Sequence, residues 1–345
     1  MPAPTATTKA TTSSTRIRPL LGALFGIERY YSIAPMRVGI VINPISGRRG
    51  SRPGEASRRR AFTESRAAAA GTNATIVMTD GPGHARILSQ TFVDQGYDTV
   101  IAMGGDGTVN EVAQALVGTP TTLGIVPCGS GDGLARGLRL PASPERAMEI
   151  ALSSSFTAID VGTVGDRIFL NIAGIGFDAA VARVFAGRSQ RGAVGYVKSG
   201  VSLAWTYAAA HYEVNWHTGD AEMVRQGRKF LVAFANASTY GNGAVLAPAA
   251  SLQDGVLDVV LVEAGTALQQ FWRGRRLFWR SGSPAHGLER SRATRATVHG
   301  STLVCHVDGE AFEVSGALEI GVRPRALRVR TSPLRVRTTR PTAAE

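Results

Sequence analysis

The sequence predicts an α/β domain with a Rossmann-like parallel sheet, followed by a mainly β domain. Up to about residue 155, short apolar runs alternate with amphipathic helical stretches, a pattern typical of parallel sheets. Beyond that point strand patterns dominate, interrupted by two longer helical stretches. A length of 345 residues suggests about two domains, in agreement with this division.

The first domain begins with the run RVGIVIN, which is rich in β-branched residues and ends in the turn signal NPISG. Similar reasoning predicts strands at 37–43, 74–79, 99–103 and 122–126, and helices at 56–70, 83–95, 109–117 and from about 132. Ligands of such sheets bind at the carboxyl ends of the strands.

The second half is predicted to be mainly β, with helical stretches near 178–210 and 266–280. Strands are predicted at 157–164, 167–173, 212–217, 230–237, 256–263, 295–298 and 303–307, with two more strand-like runs within 317–330. The expected domains are therefore 36–155, with 317–332 as a candidate completion of the sheet, and 156–316.

Two tails, 1–35 and 333–345, are predicted to lie outside both domains. Residues 1–35 are rich in Ser, Thr, Ala and Pro and poor in acidic residues. Three interpretations stay open for them: a disordered tail, a targeting segment, or a start assigned too early, since Met36 directly precedes the first strand.

Composition narrows the function classes. No run of eighteen uncharged apolar residues occurs, so no membrane-spanning helix is expected. The two cysteines, Cys128 and Cys305, form no CxxC pair and no disulfide framework, which fits a cytoplasmic setting. The net charge of +12 indicates anionic partners, but no nucleic-acid-binding motif accompanies it, so phosphate ligands or an anionic membrane are favoured.

The strongest chemical motif follows the third predicted strand, where Gly104-Gly105-Asp106-Gly107-Thr108 leads directly into a helix. Glycines let backbone amides approach a polyphosphate, and a helix N-terminus favours anions. An aspartate in such a turn suits Mg²⁺ or the orientation of a nucleophile. The chain contains no GxxxxGK[ST] and no GxGxxG at this turn, so a Walker loop and a dinucleotide fingerprint are excluded.

Two further polar turns follow predicted strands: Asn43-Pro44-Ile45-Ser46-Gly47 after the first, and the segment 127–133 (PCGSGDG) after the fourth. Carboxyl ends of parallel strands share one edge of a sheet, so the three turns are expected to meet there. Together they predict a phosphate-binding edge.

In this order, the motifs NPISG, GGDGTVNEV and PCGSGDGLAR resemble those of the diacylglycerol kinase catalytic family, which includes sphingosine and ceramide kinases and is distantly related to NAD kinase. The downstream half carries matching segments: DVG at 160–162, NIAGIGFD at 171–178, APAA at 247–250, DGVLD at 254–258 and VDGE at 307–310. The resemblance covers about residues 37–332.

The resemblance implies an ATP-dependent lipid kinase with the two-domain architecture of NAD and diacylglycerol kinases, and its site lies between the domains. Asp106 and Asp160 would approach the catalytic Mg²⁺, and Asp308 and Glu310 would lie at the acceptor hydroxyl, with Glu310 as general base. Asp178 would face the lipid head group. The implied nucleotide residues are Asn43, Pro44, Ser46, Gly47, Thr79, Gly104, Gly105, Asp106, Gly107, Thr108, Asn110, Glu111 and Ser130.

A second, structural Mg²⁺ is implied at the loop 251–256, held by Asp254 and by the backbone carbonyls of Ser251 and Val256. The sequence departs from the family at Asp132, where an asparagine is usual. Since a carboxylate accepts hydrogen bonds but does not donate them, this change puts the nucleotide preference in doubt.

The segment Phe271–Arg280 interleaves four aromatic residues with four arginines, which on a helix predicts either membrane contact or packing within its own domain. The expected partners are ATP, a lipid at an anionic membrane surface and, as an open expectation, a second copy of the chain; nucleic acid is not expected. The implied location is cytoplasmic and peripheral to the membrane. Two alternatives stay open: an NAD-kinase-like enzyme for a soluble substrate, and a non-catalytic binding protein.

Overall fold

The structure is a computed structural model, and it describes residues 36–47, 50, 52–186, 203, 207–239, 245–266, 268–270, 272–273 and 286–332. All statements below concern these residues.

The N-terminal half alternates strands and helices, and its four strands lie in the order β2-β1-β3-β4 with every neighbouring pair parallel. The elements are β1 Arg37–Ile42, α1 Glu55–Ala69, β2 Asn73–Met78, α2 His84–Asp94, β3 Thr99–Gly104, α3 Asp106–Leu116, β4 Thr122–Pro127, α4 Gly133–Gly137 and α5 Pro144–Ala151.

Helices cover both faces of these strands, which is why the central strands are apolar throughout. Every residue of β3 and β4 is buried. Val100 and Ala102 belong to a core with α2 and α3, whereas Ile101 and Met103 pack with α5 and with Phe62 of α1. The alternation of side chains along each strand divides them between the two cores.

The C-terminal half is mainly antiparallel. Its elements are β5 Phe156–Val164, β6 Arg167–Phe169, β7 Ile172–Gly176, α6 Phe177–Ala186, β8 Ala210–Thr218, β9 Ala221–Ala235, β10 Leu257–Glu263, β11 Leu288–Ala293, β12 Arg295–Val307 and β13 Glu310–Arg330. Its core forms around buried aromatic residues, among them Phe169, Trp216 and Phe234. The two-domain architecture with a mainly β second domain is confirmed.

The prediction of a Rossmann-like parallel sheet is only partly met, because the parallel strands belong to one mixed sheet of thirteen strands. β13 joins the halves: it pairs in parallel with β4 at Val329 and Leu123 and antiparallel with β5 and β12. A bulge between Arg323 and Leu327 lets this one strand take part in both halves.

Several boundaries differ from the prediction. The predicted strand 167–173 is two strands, β6 and β7, and the runs 295–298 and 303–307 are one strand, β12, with an irregularity between Gly300 and Leu303. The two runs predicted within 317–330 are part of one long strand, β13. α5 and β11 were not predicted.

The predicted helical stretch 178–210 begins as α6, and the strand β8 already starts at Ala210; most of the segment between them lies outside the described residues. Of the stretch 266–280, residues 268–270 and 272–273 are helical, and Phe271 and 274–280 lie outside the described residues. No helix in the described part of the chain is long and apolar enough to span a membrane.

Candidate active site

Three turns at the carboxyl ends of β1, β3 and β4 contact one another, as expected from the sequence. Asn43 Nδ2 donates to Thr108 Oγ1 at 2.9 Å, which joins the first turn to the second. The Cys128 amide donates to the Gly104 carbonyl at 2.8 Å, which joins the third to the second. Gly47 has a φ of 68°, and a Cβ there would fall 2.0 Å from the Cys128 carbonyl oxygen. We call these turns (43–47, 104–108 and 127–133) the glycine-turn edge.

The first turn is held by the buried side chain of Arg59, a residue of α1 that the sequence analysis did not single out. Its Nη1 donates to the Asn43 carbonyl at 2.7 Å and to Ser46 Oγ at 2.8 Å, and its Nη2 donates to the Ser46 carbonyl at 2.9 Å. Glu55 forms an ion pair with Arg59 Nε at 3.1 Å. Arg59 is 6% exposed, so it organises the turn from inside the protein.

The second turn ends in the N-terminus of α3. Gly105 is extended at the N-cap, and no side chain caps the helix there. The first-turn amides of a helix lack intrahelical partners and attract anions, so this end suits a phosphate. Close packing explains Gly104, because a Cβ at that position would fall 2.5 Å from Thr108 Cβ.

Two aspartates lie side by side where the second and third turns meet. Asp106 Oδ1 accepts from the Gly133 amide at 2.6 Å, and Asp132 Oδ1 accepts from the Gly129 amide at 3.0 Å. Burial raises the pKa of Asp106, and the charge of Asp308 raises it further. Burial, followed by the charge of Asp106, raises the pKa of Asp132 to about 6. Both effects favour a cation or a hydrogen-bond acceptor at this place.

Asp308 connects the second half of the chain to the glycine-turn edge. Its Oδ2 accepts from Asn110 Nδ2 at 2.9 Å and from the Leu170 amide at 2.8 Å. Its Oδ1 accepts from the amides of Asn171 and Ile172 at 2.9 and 3.1 Å. Four donors therefore hold this carboxylate, which makes Asp308 an anchor between α3 and the β6–β7 connection.

Glu310 follows two residues later and is exposed at the start of β13. Its Oε1 lies 3.7 Å from the position that a Cβ on Gly107 would occupy. Partial burial raises the pKa of Glu310, the charges of Glu111 and Asp308 raise it further, and Arg167 opposes them. The structure thus brings Glu310 to the first turn of α3 with a carboxyl group that is more basic than usual.

Glu111 has a second task at this place. Its two oxygens accept from the backbone amides of Gly83 and Ala85 at 2.8 and 3.1 Å, so Glu111 caps the N-terminus of α2. Thr79, just after β2, is buried, and its amide donates to the Ile42 carbonyl at 2.9 Å. Ser130 is exposed in the third turn. Direct nucleotide contacts of Glu111, Thr79 and Ser130 stay predictions.

Asp160 contacts the loop 251–256. It is fully buried in β5, where its two oxygens accept from the amides of Gly255 and Arg325, each at 2.7 Å. Its backbone amide also donates to the Leu252 carbonyl at 2.7 Å. Asp160 therefore holds the loop 251–256, and its predicted role at the catalytic metal stays a prediction without support from these contacts.

The loop 251–256 itself is shaped by its own side chains. The Gln253 amide donates to Ser251 Oγ at 3.3 Å, and the Val256 amide donates to Asp254 Oδ1 at 3.4 Å. No group of three or more His, Cys, Asp or Glu side chains that could hold a metal occurs among the described residues. A metal held by Asp254 and the carbonyls of Ser251 and Val256 stays a prediction.

Asp178, predicted to face the lipid head group, is buried near the start of α6, and its Oδ2 lies 3.0 Å from His306 Nε2. In the predicted membrane helix, Trp272 is 52% exposed. Arg273 is buried, and it donates to the carbonyls of His286 and Glu263 at 3.0 and 2.8 Å. Arg273 thus stabilises its own domain, whereas Trp279 and the remaining arginines of the segment lie outside the described residues.

The site as a whole joins the glycine-turn edge to the Glu310 carboxylate on a neighbouring hairpin. Amides at a helix N-terminus can hold transferable phosphate, and a nearby carboxylate can take the proton of an attacking hydroxyl. These are the two requirements of a phosphotransferase for alcohol groups.

Comparison with known proteins identifies the family. Residues 37–164 match the diacylglycerol kinase catalytic domain, and residues 171–331 match the YegS C-terminal NAD kinase β-sandwich-like domain. The chain therefore belongs to the diacylglycerol kinase catalytic family, and it is a lipid kinase.

Individual relatives agree. A protein of Chromohalobacter salexigens named "probable lipid kinase YegS-like" is 34% identical over 58% of this chain and 65% of its own length. One of Pseudomonas fluorescens with the same name is 30% identical over 78% of this chain and 89% of its own. A diacylglycerol kinase of Mycobacterium tuberculosis is 29% identical over 72% of this chain and 85% of its own length. The crystal structure of a diacylglycerol kinase from Bacillus anthracis, 20% identical, superimposes with a TM-score of 0.66 over 86% of this chain and 97% of that one, which supports the fold.

Proposed function

We propose that this protein transfers the γ-phosphate of ATP to the hydroxyl group of a membrane lipid, with Mg²⁺ assistance, between the glycine-turn edge and the β12–β13 hairpin. The observation that carries the proposal is the bond from Asn110 to Asp308. It ties the hairpin that bears Glu310 to the helix whose N-terminus closes the second turn. A phosphate at that end of the helix would lie beside Glu310.

In the proposed reaction, the amides at the start of α3 and the turn 43–47 orient the phosphate chain of ATP. Glu310 removes the proton of the lipid hydroxyl, whose oxygen forms a bond to the γ-phosphorus as the bond from that phosphorus to ADP breaks. A raised pKa makes a carboxylate a stronger base at neutral pH, which suits Glu310 for this step. Asp308 positions the hairpin through its four hydrogen bonds.

The carboxylate of Asp106 fits a Mg²⁺ ion that is bound mainly through the phosphates of the nucleotide. Mg²⁺ on nucleotides is commonly bound by one or two carboxylates, with phosphate oxygens and water supplying the remaining ligands. Asp106, whose Oδ1 accepts from the Gly133 amide, is the side chain at this edge that would hold the ion. When bound, the ion would neutralise charge on the phosphates. A metal site made by protein side chains alone finds no support among the described residues.

The acceptor class, a lipid, follows from the family. Diacylglycerol is the first candidate because the Mycobacterium tuberculosis relative is named a diacylglycerol kinase. A sphingoid base or another lipid alcohol is the alternative. We place the enzyme at the cytoplasmic surface of an anionic membrane, where its charge of +12 and the exposed Trp272 would assist binding, and a homodimer stays open.

The decisive experiment measures transfer of labelled phosphate from ATP to a panel of diacylglycerol, a sphingoid base and a prenyl alcohol in mixed micelles, with NAD as a soluble acceptor. We expect transfer to one lipid by the wild type and its loss in Asp106→Ala. Asp166→Ala, at an exposed turn aspartate, should act like the wild type.

Each alternative gives a different result in the same assay. Transfer to NAD without transfer to lipid would establish a soluble-substrate kinase. Equal label in every lipid from the wild type and Asp106→Ala would show that no catalysis occurs at this site, as in a non-catalytic binding protein. For the membrane, Trp272→Ala should weaken co-sedimentation with anionic vesicles while ATP affinity stays unchanged.

A further inference from the structure

Two buried titratable side chains, His306 and Asp178, take no part in the proposed reaction. They are 2% and 7% exposed, and His306 Nε2 lies 3.0 Å from Asp178 Oδ2. His306 pairs with Gly174 across the β12–β7 ladder. A Cβ on Gly174 would fall 1.8 Å from Asp178 Oδ2 and 2.7 Å from His306 Nε2, so the absence of a side chain there makes room for the pair.

The other ring nitrogen of His306 faces the turn that joins β12 and β13. His306 Nδ1 accepts from the Gly309 amide at 3.2 Å. A ring nitrogen that accepts a hydrogen bond carries no proton, so in neutral His306 the hydrogen is on Nε2 and points to the Asp178 carboxylate. Asp178 Oδ1 in turn accepts from the Ala179 amide at 2.9 Å, which fixes the carboxylate at the start of α6.

The Gly309 amide lies between Asp308 and Glu310, the two acidic residues at the turn of the β12–β13 hairpin. Asp308 and Gly309 have φ values of 49° and 93°, and they join Val307 to its ladder partner Glu310. These values and the two-residue loop define a type I′ hairpin turn, for which Asp-Gly is a preferred sequence. Asp308 is anchored at Asn110 and the β6–β7 connection, and His306 holds Gly309 on the other side of the same turn.

We propose that His306 is a positioning residue for Glu310: Asp178 holds it in the Nε2–H form, and its Nδ1 fixes the Gly309 amide and with it the direction in which Glu310 leaves the turn. This inference rests on the proposed function and adds Asp178 and His306 to it as a pair that acts through the hairpin. Asp178 thereby has a task that needs no contact with the lipid head group.

Two substitutions separate the contacts of His306. Asparagine carries an amide oxygen near the place of Nδ1, so His306→Asn keeps an acceptor for Gly309 but does not reach Asp178. Glutamine carries an amide nitrogen near the place of Nε2, so His306→Gln keeps a donor for Asp178 but leaves the Gly309 amide without its acceptor. Glutamine is closer than asparagine to histidine in volume, and it keeps a donor for the buried Asp178 carboxylate, so His306→Gln is the more conservative replacement.

We expect kcat to fall about 10-fold or more in His306→Gln, because small misplacements of a reacting group are costly, and to fall less in His306→Asn. KM for ATP should stay unchanged in both, since the glycine-turn edge is untouched. The thermal midpoint should show the opposite order, with the lower value in His306→Asn, where Asp178 loses the hydrogen bond from His306. A merely structural role predicts that both readouts follow the same order, and that result would overturn the inference.

Two measurements that need no lipid substrate keep the inference independent of the proposed function. Hydrogen exchange at residues 308–310 should accelerate in His306→Gln and stay near the wild-type rate in His306→Asn. Nitrogen NMR of His306 in the wild type should show the proton on Nε2, and a proton on Nδ1 would refute the pairing. If the wild type phosphorylates no lipid, the proposed function fails, and these two measurements alone decide the positioning role.

Discussion

Replacing Asp132 by asparagine should make the protein more stable at neutral pH, because burial and the charge of Asp106 disfavour the ionised form of Asp132. It is half-buried beside Asp106, and its pKa is raised from 3.8 to about 6. Asparagine has the same shape, keeps an oxygen for the Gly129 amide and tolerates the left-handed φ of 49° at this position. The substitution therefore removes the charge and little else.

The magnitude follows from linkage between protonation and folding. The pKa is higher in the folded protein than in the unfolded chain, so folding is disfavoured where both states are ionised, above about pH 6. The full shift corresponds to about 3 kcal/mol, and solvent screening at this partly exposed carboxyl reduces it to about 1.5 kcal/mol. The disadvantage shrinks as the pH falls through the folded pKa of about 6, and it disappears below the unfolded value of 3.8.

Thermal unfolding followed by circular dichroism at pH 7.5 and pH 5 tests this reasoning. At pH 7.5 the midpoint of Asp132→Asn should lie above that of the wild type by about 2–6 °C. At pH 5 the difference should be about half as large. Asp166→Asn, the same change in the exposed β5–β6 turn, controls for the chemistry of the substitution. An equal or lower midpoint of Asp132→Asn at pH 7.5, or a gap that grows at pH 5, would contradict the assignment.

Three further substitutions test Arg59, Glu310 and Asp160. Arg59→Lys removes the planar guanidinium that holds the turn 43–47, so KM for ATP should rise about 10-fold with a smaller change in kcat. Arg60→Lys, on the exposed face of α1, is the control. An unchanged KM in Arg59→Lys would show that Arg59 does not organise the ATP site. Glu310→Gln should lower kcat by about 10²-fold or more while ATP binding, measured by calorimetry, persists; full activity would remove Glu310 as the base. Asp160→Asn turns an amide nitrogen toward one of the two backbone amides that now donate to Asp160, so urea unfolding should show a loss of about 2 kcal/mol in stability. Mg²⁺ affinity should stay unchanged, and a loss of Mg²⁺ affinity would show that Asp160 is a metal ligand.

Local patterns were sufficient to predict most elements of the first half. β1, β3 and β4 are short apolar runs bounded by turn signals, and each was predicted to within about two residues. β11 (LERSRA) was missed because it is half-buried and mostly polar, and it becomes a strand by pairing with the apolar β10. The bulge of β13 was hidden for a similar reason, since its two parts pair with strands of different halves.

The candidate site shows the same division. The turn motifs indicated phosphate chemistry because glycine spacing and the start of a helix are local properties of the chain. The role of Arg59 was invisible within the run Arg58-Arg59-Arg60, since only the helical phase of α1 against the sheet buries the middle residue. Asp160 was assigned to the catalytic metal by family resemblance, although its contacts are with a loop about ninety residues away in sequence.

By itself, the sequence indicated the two-domain fold, the three glycine turns and the kinase family, because these depend on residues that are neighbours along the chain. Only the tertiary structure decided which carboxylates are held by backbone amides and which are exposed. Asp160 and Asp308 each accept from two or more backbone amides, whereas Glu310 is exposed with a raised pKa. That difference depends on donors supplied by distant segments, and the order of residues along the chain does not contain it.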